Sequence, residues 1–114
     1  MKKVELVIGS VSVVDGCEQD ARRPVEFVAE ELGSRRWLKS WDGTRGTDET
    51  LYKTEDGRLV VYIEHWSRWA GEETTRMLVE VQPADLDVGG RFEMLGRACG
   101  LTRALTLDEA LSEA

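Results

Sequence analysis

His65 is the one histidine of the chain, and it stands in Glu64-His65-Trp66-Ser67, residue types suited to proton transfer. On a strand, adjacent side chains leave opposite faces and alternate ones share a face. His65 and Ser67 can therefore meet, whereas His65 and Glu64 cannot readily pass a proton. A half-buried structural histidine or a surface one is the better reading. With two thiols distant in sequence, Cys17 and Cys99, a single imidazole does not complete a tetrahedral zinc set, and no ligand pair has the required spacing. Without CxxC spacing the cysteines read as two reduced thiols. Gly43-Thr44-Arg45-Gly46 lacks the Lys-Ser/Thr ending of a phosphate loop, and Gly89-Gly90 does not form GxGxxG. The pairs Glu30-Glu31 and Glu72-Glu73 read as solvated charge. These residues point to a non-enzymatic chain with no catalytic set, no metal and no cofactor.

The indoles ask for another explanation. Trp37 and Trp66 are expected to pack, because aromatic rings carry large buried area and pair well across strands. Trp41 and Trp69 lie beside segments rich in charge and glycine and are expected to be partner anchors, since Trp and Arg are enriched at binding hot spots. The expected partner-binding surface is Trp41, Arg45, Asp48, Arg68, Trp69, Glu72 and Glu73. Arg35, Arg36 and Arg68 beside the indoles raise an alternative, a small-molecule or nucleic-acid binding module built on guanidinium stacking or anion recognition.

Elements must hold these residues. Alternating Val4, Leu6 and Ile8, resumed at Val11 and Val13, predict a strand over 3–14 with a bulge at Gly9-Ser10, then a turn at Asp15-Gly16. Pro24, the helical spacing of Val25, Val28, Ala29 and Leu32, and a stop at Gly33 predict a helix over 24–32. Trp37 to Trp41 reads as a strand and 42–48 as an exposed loop. Leu51–Thr54 and Leu59–His65, joined through Asp56-Gly57, predict a hairpin, and a further strand spans Thr75–Gln82. Pro83 ends the strands, and Phe92, Leu95 and Cys99 predict a helix near 88–99. The capping box Thr106-Leu107-Asp108-Glu109 opens a last helix, 107–113. The order is β-α-β-β-β-β-α-α: one α+β domain over 1–114, an antiparallel meander of four to five strands packed by two to three helices.

The net charge is −7, and the excess lies in the second half: residues 1–50 carry 8 basic and 10 acidic side chains, residues 51–114 carry 7 and 12. Direct nucleic-acid binding is disfavoured without a basic footprint, whereas an acidic surface attracts a protein partner with a basic one. No apolar run approaches the roughly 20 residues of a membrane span. No secretory h-region follows Met1-Lys2-Lys3, so a cytoplasmic location is expected. An exposed meander edge could pair two copies into a homodimer.

The stretch Leu51-Tyr52-Lys53-Thr54-Glu55-Asp56-Gly57-Arg58, followed by Trp66-Ser67-Arg68-Trp69, resembles the hairpin and WSxW segment of small uncharacterised proteins of bacteria, phages and plasmids. That resemblance implies a mobile-element or defence-related setting, in which short acidic proteins inhibit nucleic-acid enzymes as anti-CRISPR proteins do.

Overall fold

The computed structural model describes residues 1–69, 73–101 and 106–112, the side chains of residues 12–14 excepted. Strand β1 (Lys2–Ile8) turns Val4, Leu6 and Ile8 toward an apolar cluster and leaves Lys3 and Glu5 exposed. The strand expected over 3–14 divides at Gly9-Ser10. Beyond it, β2 (Val11–Val14) and β3 (Cys17–Asp20) pair only with each other. Their turn is the anticipated Asp15-Gly16, with φ of 54° and 76°, the positive-φ pair that a two-residue hairpin requires. Strands β4 (Arg23–Leu38), β5 (Arg45–Thr54), β6 (Leu59–Ser67) and β7 (Thr75–Val81) then run as a meander. With β1 outside β4, the antiparallel sheet has the order β1-β4-β5-β6-β7. The hairpin foreseen over 51–65 is present as β5 and β6, closed by Thr54 N–H donating to Arg58 O at 2.8 Å.

The largest correction falls on residues 24–32, which form no helix: they belong to β4, paired with β1 along Arg23–Ala29 and with β5 from Ala29 onward. Two periods compete in this segment. Val25, Val28, Ala29 and Leu32 fit a helix, but Val25, Phe27 and Ala29 fit a strand, and these three turn inward while Glu26, Val28 and Glu30 are exposed. Pairing with β1 up to Ala29 and with β5 from Ala29 on settles the contest, because tertiary partners override weak local propensity. Gly33 marks a β-bulge instead of a helix stop: the register shifts between Glu31 and Gly33, and Leu32 is the extra residue. A Cβ at Gly33 would meet Cys99 Sγ at 2.6 Å, so the strand and the C-terminal helical segment approach closely there.

The helical part is smaller than expected. A 3-10 turn at Pro83–Leu86 precedes α1 (Glu93–Ala98), which replaces the longer helix expected near 88–99, and α2 (Leu107–Ser112) follows. Gly89 and Gly90 fall in the turn before α1, where Gly90 N–H donates to Asp87 O at 2.9 Å. The capping box is present, with Glu109 N–H donating to Thr106 Oγ1 at 3.3 Å and Thr106 N–H to Glu109 Oε1 at 3.4 Å. The broad α+β class holds, with the sheet dominant and the helices few and short.

One sheet face carries Leu51, Val61, Ile63 and Val81 under Leu86, Phe92 and Leu95. The other carries Ala29, Tyr52, Val60 and Tyr62 against Val4, Leu6, Phe27 and Leu78. The sheet curls over that second face into a half-barrel whose outer strands meet at one end. There Gly9 and Arg76 exchange backbone bonds of 2.8 and 3.2 Å, and Tyr62 donates its hydroxyl to Val7 O at 2.6 Å.

Candidate functional site

The bulge in β4 decides which chemistry faces which side. Before it, odd-numbered residues face the half-barrel; after it, Arg35 and Trp37 face the helix-covered side, opposite Glu49 and Thr47 of β5. Arg36 turns the other way and pairs with Asp48. Arg35 and Arg36, considered together as one anion site, are therefore on opposite faces.

The expected exposed loop 42–48 is a correction: residues 39–44 form the connection, Arg45–Thr54 is β5, and Thr47 is fully buried. Asp42 organises the loop by accepting from Thr44 N–H at 3.2 Å and Thr44 Oγ1 at 2.7 Å, bonds that hold its carboxyl below the usual range. Thr44 then fastens the segment after β6, its carbonyl accepting from Arg68 N–H at 2.8 Å and its hydroxyl from Trp69 Nε1 at 2.6 Å. Two connections far apart in sequence are thus tied at one end of the sheet.

Trp41 and Trp69 sit on these connections, 99% and 52% exposed, as two of the largest apolar side chains open to solvent. The Arg45 guanidinium lies 5.8 Å from the Trp69 ring centre. On the opposite face, Arg36 and Arg68 lie 5.3 and 5.6 Å from the Trp66 ring. Trp37 and Trp66, expected to pack, are half-buried; Trp66 lies across Gly46, where an added Cβ would meet its ring at 2.4 Å.

Asp48 differs from the other residues of the expected surface. Its carboxylate accepts from Arg36 Nε at 2.7 Å, Arg36 Nη2 at 2.8 Å and Trp66 Nε1 at 3.1 Å. The Arg36 bonds are the main cause of its lowered pKa, burial opposes them, and the Trp66 bond adds to them. Asp48 is a positioning residue that sets the Trp66 ring. Glu73 is exposed just before β7 opens, and Glu72 lies outside the described residues.

His65 is half-buried, with Thr47 Oγ1 at 2.9 Å and Lys39 Nζ at 3.5 Å from Nδ1. Lysine only donates, so both neighbours are satisfied when Nδ1 accepts and the proton sits on Nε2. Burial, and then Lys39, push the His65 pKa down, keeping the ring neutral near pH 7. Ser67 shares the His65 face and Glu64 does not, as alternation requires; Glu64 instead holds Arg76 at 3.2 Å. Two charged residues, Glu49 and Arg91, escaped the sequence reading. Glu49 lies between the expected loop over 42–48 and the expected strand from Leu51; it is 6% exposed, and burial raises its pKa against Arg35 and Arg91. Alternation of Thr47, Glu49 and Leu51 on one face was the available signal.

Both cysteines are free, Cys17 exposed on the β2–β3 hairpin and Cys99 half-buried after α1. Among the described residues no group of three or more His, Cys, Asp or Glu is arranged around a metal position, and no helix is long and apolar enough to cross a membrane. Compared with models of protein families, with curated proteins and with solved structures, the chain matches none of them.

Proposed function

We propose that this chain is a non-enzymatic protein-binding module that docks through the loop end of its sheet. The contacts come from Trp41, Trp69, Arg45, Arg68 and Glu73. The observation that carries this reading is the pair of exposed indoles, Trp41 at 99% and Trp69 at 52%, held on two connections locked together through Thr44. Ordering a flexible loop on binding costs free energy. A loop already fixed by bonds through Asp42 and Thr44 avoids much of that cost. Indole and guanidinium groups are also the side chains that most often dominate interface energetics. The chain as a whole is acidic, with a net charge of −7, which favours encounter with a basic partner. A basic groove on a nucleic-acid or defence complex fits that description, and inhibition of such a complex, the anti-CRISPR-like role, is the biological form of the proposal.

A photo-cross-linking residue at position 41 is expected to capture a protein in cells of the source organism. The same residue at position 55, in the hairpin turn at the opposite end of β5, is expected to capture none. Equal cross-linking from both positions would remove the loop end as the docking surface.

A further inference from the structure

The helix-covered face of the sheet is only partly covered. Between the ends of β4, β5 and β6 and the turn leading into α1 lies a cleft of about 520 Å³, within the roughly 300–1,000 Å³ typical of small-ligand sites. Arg35 from β4 and Arg91 from the turn before α1 both line it, each stacked on its own neighbour: Arg35 lies 4.3 Å from the Trp37 ring centre and Arg91 4.9 Å from that of Phe92. Stacking fixes the guanidinium planes without using their N–H groups. Among the described residues, neither guanidinium pairs with a carboxylate, whereas Arg22, Arg36, Arg58, Arg76 and Arg97 all do. His65 adds a third donor to the lining in the tautomer that satisfies both Thr47 and Lys39, with Nδ1 accepting and Nε2 carrying the proton. Lys39 adds a cation behind the ring.

The negative groups are fewer or already committed. Glu93 is bound to Arg97 at 3.3 Å and accepts from Gly89 N–H at 3.3 Å. Glu49 lies at the buried floor. In a protein with a net charge of −7, a cleft that sets two guanidiniums and an imidazole N–H against one uncommitted carboxylate, Glu49, which feels the charges of both arginines, is an exception that solubility does not explain. The remaining lining is apolar: Ile63, Met77 and Met94, the two methionines 41% and 49% exposed. Thioether side chains adapt to varied apolar shapes.

We infer that this cleft binds a small organic anion, a planar carboxylate on an apolar body. Its oxygens are taken by Arg35, Arg91 and His65, and its body rests on Met77 and Met94. The guanidinium fork matches a carboxylate in a bidentate geometry that a neutral amide cannot reproduce. This site is independent of the protein-docking end, because it uses neither Trp41 nor Trp69.

The test is an amide chemical-shift titration of the full chain with benzoate, benzamide and benzylammonium as probes. Benzoate is expected to give saturable shifts at Glu49, His65, Phe92 and the Trp37 indole, with the other two probes at least tenfold weaker. An Arg35→Gln/Arg91→Gln double variant is expected to weaken benzoate at least tenfold, and Arg58→Gln, in the distant hairpin turn, to leave it unchanged. Benzamide binding as tightly as benzoate, benzylammonium binding more tightly, or the absence of saturable shifts would overturn the proposal. So would benzoate affinity that survives the double variant. If that variant fails to fold, the ranking of the three probes on the unsubstituted chain decides alone.

Discussion

At Asp48 one carboxylate receives two guanidinium N–H groups and an indole N–H, all within 3.1 Å. Its folded pKa is depressed, so the stabilisation is complete above the unfolded value near 3.8 and is lost as pH falls through the folded value. Asp48→Asn is expected to lower stability at pH 7, with the gap to the unsubstituted chain closing below about pH 4, as denaturant titrations at several pH values would show. His65 acts in the same direction at a higher pH. Its folded pKa lies below the usual 6.5, so the unfolded chain takes the proton first. Stability therefore falls as pH drops below that value and levels off once the folded ring also titrates. His65→Gln is expected to flatten this part of the pH profile. Trp41, nearly fully exposed, is the contrast: Trp41→Ala is expected to change stability by less than about 0.5 kcal/mol in thermal or denaturant unfolding. Neighbouring charge and glycine suggest an exposed anchor, but alternation with Trp37 places Trp41 on a strand, whereas β4 ends at Leu38 and Trp41 sits in the connection. The clamp at Asp48 was not legible in the sequence, because its donors come from β4 and β6, 12 and 18 residues away.

At the scale of elements, the sequence reading succeeded where one period ran alone and failed where two overlapped. The β5–β6 hairpin was legible because Asp56-Gly57 separates two unambiguous β-rich runs. Residues 24–32 misled because Pro24 and Gly33 imitate helix punctuation, while β4 is set by its pairing first with β1 and then, from Ala29, with β5, which no local pattern carries. The polar start of β5 up to Asp48 is expected as loop for a related reason: Thr47, like Glu49 just beyond that loop, is buried only because the neighbouring strands and the segment around α1 close over it. Gly46 shows how tightly these elements meet. An added Cβ would stand 2.4 Å from the Trp66 ring and 2.9 Å from Trp37 O. Gly46→Ala is expected to displace that ring and cost about 1–3 kcal/mol, the usual range for overpacking. A loss of that size in denaturant unfolding, with a change in the Trp66 environment, would verify it.

At the scale of the molecule, the chain is extended for its length. The radius of gyration is 17.1 Å, against about 13 Å for a compact chain of this size. The β2–β3 hairpin pairs with no other strand, and α2 carries no buried residue. The described structure thus offers more surface than its core needs, and the loop end concentrates on it the side chains best suited to contact. Affinity capture from cells of the source organism, comparing the unsubstituted chain with Trp41→Ala/Trp69→Ala, tests the docking end most directly. Recovery of a partner with the unsubstituted chain and its loss with the double variant is the predicted result; equal recovery from both, or none from either, would contradict it.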